Sequence, residues 1–315
     1  MKNKPILVVA GDPQSVFLEI FFKAINFKKY KSSIILICNK EILKLFIKKN
    51  NINKKIKIFN LKELYQSKLN PNYVNLVDVE CKNIQSLKHV KKYLNQSFNI
   101  AFELLNNNFT NKFINGPINK KKFLDNKLLG ITEYISNKYN IKNSGMLIYN
   151  KHLSVCPLTT HLPIKMVYKY INKKVIIDKI KLIDSFFKTY LKVKPRIAVT
   201  GLNPHCESIL KFNEDEKIVT KAIINQRDKG LDVNGPFPAD TIFLKKNRDK
   251  YNVILGMYHD QVLAPIKAIY EFQAINITMG LPFLRITPDH GPNISMIGKN
   301  KSNPISLIRA LEFLD

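Results

Sequence analysis

The sequence contains no GxGxxG after its first apolar run, no GxxxxGK[ST] and no GxSxG. The common dinucleotide fingerprint, the nucleotide-cradling P-loop and the serine-hydrolase elbow are therefore excluded, and any nicotinamide is held in another way. Cys38, Cys81, Cys156 and Cys206 form no CxxC pair, which excludes a zinc knuckle and a dithiol redox motif and leaves reduced, cytosolic thiols as the expectation. No window approaches the roughly 20 uncharged residues a membrane helix needs. The apolar run near the first methionine is cut by Asp12 before it reaches the length of a signal-peptide core, so a cytoplasmic protein without membrane contact is expected. Acidic residues are few, 24 against 51 Lys and Arg, giving a formal net charge of +27. On its face such an excess points to nucleic acid or an anionic membrane. Arginine is rare beside lysine, however, and no segment gathers guanidinium forks with stacking aromatics. A solvated lysine-rich surface that draws small anions inward accounts better for the charge, and no nucleic-acid partner is expected.

What the chain does have is a globular composition, 45% hydrophobic and 24% charged over 315 residues, enough for one large α/β domain or two lobes. Short β-branched runs alternate with longer segments of helical period, the pattern of a mainly parallel sheet wrapped by helices. Strands are predicted over residues 5–10, 33–38, 55–59, 73–77, 146–149, 153–158, 196–200, 253–257, 274–278 and 283–286, with a short one ending at Ile114. The spacing of Ile84, Leu87, Val90, Leu94, Phe98, Ala101 and Leu105 predicts a long amphipathic helix. Further helices are predicted over 175–191, 214–229 and 302–313. No linker or repeat marks a boundary, so any division is into two lobes that share one sheet or between which the chain crosses back and forth.

Three of the six histidines share one context. His161, His205 and His259 each lie just past the carboxyl end of a predicted strand, the edge where open α/β sheets bind ligands. Three imidazoles there suit one divalent cation with positions left open for substrate. For any one of them alone, a hydrogen-bonded surface or core histidine is the commoner case. Asp260 follows His259 either as its tautomer-fixing partner or as the cap of the next helix. Asn234 to Thr241 is too rich in Pro and Gly for an element interior and reads as a rigid loop aiming Asp240, either into a site or as a helix cap. Lys267 means little alone in a chain with so many lysines. Arg285 is more informative, because it is a lone charge in the apolar stretch Gly280-Leu281-Pro282-Phe283-Leu284-Arg285 and needs an anionic partner. Asp289-His290-Gly291-Pro292 is a further polar turn, read either as a plain loop or as part of a site.

Five motifs then stand in order along the chain: Thr159-Thr160-His161-Leu162-Pro163, Gly201-Leu202-Asn203-Pro204-His205, Gly235-Pro236-Phe237-Pro238-Ala239-Asp240-Thr241, Met257-Tyr258-His259-Asp260-Gln261 and Asn276-Ile277-Thr278-Met279-Gly280-Leu281-Pro282-Phe283. In order and spacing they resemble the 4-hydroxythreonine-4-phosphate dehydrogenase family of vitamin B6 biosynthesis, over nearly the whole chain. The resemblance implies a two-lobed α/β/α fold akin to the isocitrate and isopropylmalate dehydrogenases, in a homodimer whose active sites lie between the lobes and draw on both subunits. On this basis the first lobe is expected over 1–130 and 276–315, and the second, with the metal ligands and dimer contacts, over 131–275.

The resemblance further implies metal ligation by His161, His205 and His259 and substrate binding by Thr132, Lys267, Asn276 and Arg285. Asp240 and Lys267 are the catalytic candidates. The implied cofactors are NAD or NADP and one divalent ion per site, zinc, magnesium or cobalt. The implied reaction oxidises the C3 hydroxyl of 4-phosphooxy-L-threonine and loses carbon dioxide to give 3-amino-2-oxopropyl phosphate. The chain departs from the family pattern twice. Gln14-Ser15-Val16-Phe17 replaces a glycine-rich first loop, and Ile131 stands where the family carries a substrate-binding histidine. Two alternatives remain beside this one: a metal-dependent dehydrogenase of the same fold acting on another phosphorylated hydroxy acid, and a catalytically silent basic protein that binds nucleic acid.

Overall fold

Runs of branched aliphatics fix the sheet positions in the computed structural model, which describes residues 4–119, 123, 124, 128, 130–209, 212–288 and 291–315. The chain divides into two units, Met1–Tyr134 with Pro282–Asp315 and Ile135–Leu281. The first holds strands β1 (Ile6–Val9), β2 (Ile34–Cys38), β3 (Ile56–Phe59), β4 (Val74–Asp78), β5 (Lys112–Asn115) and β12 (Leu284–Thr287). They lie in the order β3-β4-β2-β1-β5-β12, all parallel. The sequences of β1 and β2, ILVV and IILIC, are buried throughout, as expected for parallel strands covered on both faces.

Helices make the crossovers of this unit. Helix Lys40–Lys49 starts where Asn39 accepts the Glu41 and Ile42 amides, and helix Leu61–Gln66 starts in a capping box between Asn60 and Glu63. Helix Leu87–Asn106 buries Val90, Tyr93, Leu94, Phe98, Ala101, Phe102 and Leu105, the three- and four-residue spacing of one helical face. Strand order reverses between β1 and β5, so the loops leaving these two strands meet at a topological switch point. There Gly11, at φ +82°, packs backbone to backbone on the carbonyl of Pro117, and a Cβ would collide with it. The Asp12 amide donates to that same carbonyl at 2.9 Å.

The second unit holds β6 (Gly145–Tyr149), β7 (Ser154–Thr159), β8 (Ile197–Thr200), β9 (Val233–Phe237), β10 (Val253–Tyr258) and β11 (Ile275–Met279). Their order is β11-β6-β7-β10-β8-β9. Strands β7, β10, β8 and β9 are mutually parallel, and β6 runs antiparallel to both β7 and β11. Val155, Ala198, Ile254, Val262 and Ile266 form the centre of its core.

Three expectations need correction. Residues 131–134 belong to the first unit rather than opening the second. Residues 276–281 belong to the second unit rather than opening the return to the first, because β11 pairs with β6 over all five of its residues. The stretch after Leu231, expected as loop from Asn234, is a strand as far as Phe237. Pro236 is tolerated because β9 is an edge strand whose pairing with β8 shifts register between Ala198 and Thr200. No helix of the described residues is long and apolar enough to cross a membrane.

Candidate active site

The second unit presents its histidines along one sheet edge. β7, β10 and β8 are adjacent and parallel, with Thr159 opposite Tyr258 and Val199 opposite Leu255, so all three chains exit on the same side. His161 follows β7 by two residues, His259 opens helix His259–Tyr270 directly after β10, and His205 sits in the turn Pro204–Cys206 after β8. His161 and His205 are exposed. The rings of His161 and His259 are 5.8 Å apart between centroids, and His205 stands on the same edge without joining them. Among the described residues no three His, Cys, Asp or Glu side chains are gathered into a ready-made metal cluster.

Asp260 takes the partner role rather than the cap role. Its Oδ1 lies 2.6 Å from Nδ1 of His259, while the cap position of that helix is Tyr258 with no side-chain bond. A proton held on Nδ1 leaves the lone pair on Nε2, the nitrogen suited to a cation.

Three side chains to which the sequence reading assigned no role hold this edge in register. Oε1 of Gln261 accepts the Met257 amide at 2.7 Å and the Thr200 hydroxyl at 2.8 Å, and its Nε2 donates to the Gly201 carbonyl at 2.8 Å. Gln261 thus ties the exit of β10 to that of β8. Asp215, fully buried, accepts the amides of Leu202 at 2.6 Å and Asn203 at 2.9 Å, fixing the loop that leads to His205. The Thr159 hydroxyl donates to the Met257 carbonyl at 2.8 Å. The available signals were the place of Gln261 in the His259 motif and an acidic triplet, Glu214-Asp215-Glu216, in a basic chain.

Asp240 is exposed in the first turn of the short helix Ala239–Ile242, whose cap position is Pro238, so it is not the helix cap. Its charge reaches the loop of His205: burial, then Asp215, then Asp240 push the Cys206 thiol up to about 11. Lys267 lies two turns into helix His259–Tyr270, half-buried, and burial lowers its pKa below the ordinary lysine value. Asn276 is half-buried in β11 opposite Ile148.

In the first unit the site residues form a buried cluster. Arg285 on β12 is 3% exposed, beside β5. Its Nε donates to Oδ1 of Asn115 at 3.0 Å and its Nη1 to the Thr132 hydroxyl at 2.9 Å. Burial pulls its pKa down to about 10, against the opposing charge of Glu133, so it remains a cation at neutral pH. Thr132 lies in helix Ile131–Lys138, whose first residue, Ile131, is buried. Asn115 also escaped the sequence patterns. Asp289 and His290 lie outside the described residues.

The family described as pyridoxal phosphate biosynthetic protein PdxA matches residues 30–314. The chain is 33% identical to 4-hydroxythreonine-4-phosphate dehydrogenase of Sulfurihydrogenibium sp. (strain YO3AOP1), covering 98% of this chain and 96% of that one. It is 28% identical to D-threonate 4-phosphate dehydrogenase of Salmonella typhimurium, covering 98% and 97%. The crystal structure of 4-hydroxythreonine-4-phosphate dehydrogenase from Klebsiella pneumoniae superimposes with a TM-score of 0.84 at 26% identity, over 99% of this chain and 98% of that one. Isocitrate dehydrogenase from Methylococcus capsulatus, 9% identical with a TM-score of 0.54 over 98% and 84% of the chains, shares the fold alone.

Proposed function

The chain belongs to the family of the pyridoxal phosphate biosynthetic protein PdxA, and from that premise we propose that it oxidises the C3 hydroxyl of 4-phosphooxy-L-threonine with NAD or NADP and releases carbon dioxide, giving 3-amino-2-oxopropyl phosphate. The observation that carries this reading is the position of His161, His205 and His259 just past three neighbouring parallel strands of one sheet. The donor chemistry fits a divalent cation, since imidazole suits zinc and cobalt, and His259 already has the second partner that metal-binding histidines use. When bound, such an ion supplies Lewis acidity toward the substrate's oxygens, and the nicotinamide supplies the hydride acceptor.

The chain's own residues supply binding and proton transfer. Arg285, with Thr132, takes an anionic group of the substrate through a guanidinium that stays charged when buried. Asn276 contributes a neutral amide. As hydride leaves C3, the hydroxyl proton passes to a base. Lys267 is suited to this because burial increases its neutral fraction, and the exposed carboxylate of Asp240 is the second candidate. The resulting β-keto acid loses carbon dioxide, its C–C electron pair passes to an enolate, and a protonated side chain returns a proton to carbon. The working form is a homodimer, a reading supported by exposed Ile164 and Tyr168 on helix Ile164–Tyr170, directly after His161.

A second substrate has specific support. D-threonate 4-phosphate carries a hydroxyl where the first substrate carries an amine, and Ile131 offers no hydrogen bond to either. Purified protein supplied with each acid, each nicotinamide and a divalent metal, followed by absorbance of the reduced nicotinamide, separates the two. Faster reduction with 4-phosphooxy-L-threonine is expected; a clear preference for D-threonate 4-phosphate would transfer the assignment, and no reduction with either would end it.

A further inference from the structure

The ends of β8 and β10 need between them a side chain that both accepts and donates. The Met257 amide and the Thr200 hydroxyl offer hydrogens, while the Gly201 carbonyl offers only lone pairs. The amide of Gln261 answers all three, because Oε1 accepts from the first two and Nε2 donates to the third. An ionised glutamate could not donate, and methionine could do neither. The backbone leaves room for this side chain: a Cβ at Gly256 would collide with Val262 and crowd Oε1 of Gln261 at 3.1 Å. Thr200 is fully buried, and the Gly201 amide donates to the Phe237 carbonyl at 2.9 Å. One side chain of the helix that opens with His259 thus holds two consecutive residues at the end of β8. The next two, Leu202 and Asn203, are held by Asp215, and His205 follows two residues later.

We propose that Gln261 is a positioning residue for the cation site: through Thr200 and Gly201 it sets the loop that carries His205 against the helix that carries His259. The inference rests on the reading that these histidines hold a divalent cation. It gives Gln261 no contact with the ion and no part in proton transfer. A purely structural glutamine would affect stability when removed and leave cation affinity alone. A positioning one acts on affinity, and through His205 in particular.

Two variants separate placement from charge. Gln261→Met keeps the length of the side chain and removes all three bonds, whereas Gln261→Glu keeps both acceptor contacts and replaces the donor to Gly201 by a negative charge. Each is made in the unmodified chain, beside His205→Ala and beside His161→Ala. The chelator-treated proteins are titrated with zinc in competition with a chromophoric chelator, melted, and compared by hydrogen exchange without metal. In the unmodified chain Gln261→Met should weaken zinc binding by about tenfold or more. Beside His205→Ala the same change should weaken it by no more than about twofold, because the donor that Gln261 places is gone, while beside His161→Ala the full loss should remain. Gln261→Glu should lose affinity too, although its charge alone would favour a cation. Exchange should quicken in Gln261→Met at the amides of Leu202, Asn203, His205 and Cys206.

Zinc affinity unchanged in Gln261→Met would overturn the proposal, as would equal losses in all three backgrounds, even with a lowered melting midpoint. Should Gln261→Met fail to fold, Gln261→Glu decides by the same comparison: a loss in the unmodified chain that vanishes beside His205→Ala supports the proposal, and any other pattern overturns it. Absence of zinc binding by the unmodified protein would count instead against the cation reading. Hydrogen exchange needs no metal, so it still decides whether Gln261 holds the loop of His205, and exchange unchanged by Gln261→Met would overturn that.

Discussion

The two units carry their charged side chains in opposite ways. In Met1–Tyr134 with Pro282–Asp315, Arg285 is sealed in the core and bonded to Asn115 and Thr132. In Ile135–Leu281, His161 and His205 stand exposed at a sheet edge, while buried Asp215 and half-buried Gln261 fix the loops beneath them. An anion receptor gains from burial, because low dielectric strengthens the attraction for the incoming charge. A cation site built from imidazoles needs donors that an ion can reach from solvent. The difference teaches that one unit fixes its charged side chain directly, by bonds to the guanidinium itself, whereas the other fixes the loops that carry its histidines.

The sharpest way to break this comparison is at the exposed edge. His161→Ala should lower kcat/KM by about a thousandfold and reduce bound metal, with stability changed by no more than about 0.5 kcal/mol. Elemental analysis beside a melting curve reads both; full metal retention would remove His161 from the ligand set. In the buried cluster, activity and stability should fall together. Arg285→Met should raise KM roughly ten- to a hundredfold and also cost about 1–3 kcal/mol in denaturant unfolding, because Asn115 and Thr132 lose their shared donor.

Asp215→Asn sharpens the contrast inside the second unit. It presents an amide to the Leu202 and Asn203 N–H groups, so metal affinity should weaken by about tenfold, although Asp215 is not expected to touch the ion. Calorimetric titration of the metal measures this directly, and an unaltered affinity would return Asp215 to a purely structural role. The smallest effect is expected at Ile131. Ile131→His adds a donor beside Thr132 and should raise kcat/KM for 4-phosphooxy-L-threonine several-fold, up to about tenfold. A decrease would mark Ile131 as adapted to another hydroxy acid.

Much of this architecture was legible because parallel strands are so plainly apolar. ILVV and IILIC admit few other interpretations, and the stripe from Val90 to Leu105 could only be a helix. The strand-end histidines followed from the same pattern, since their positions depend only on where the strands stop. β9 was hidden by Gly235 and Pro236, which signal loop everywhere except on an edge strand. Asn115, Asp215 and Gln261 were hidden for another reason. Asn115 meets Arg285 across 170 positions and Gln261 meets Gly201 across 60, and contacts at such separation leave no local periodicity to read.

The claim that Arg285 carries anion recognition in the first unit can be tested by calorimetric titration of the phosphorylated substrate into chelator-treated protein, without nicotinamide. Saturable binding should persist in the stripped protein and be lost in Arg285→Met. Binding that appears only when metal is restored, and that is indifferent to Arg285→Met, would contradict the account.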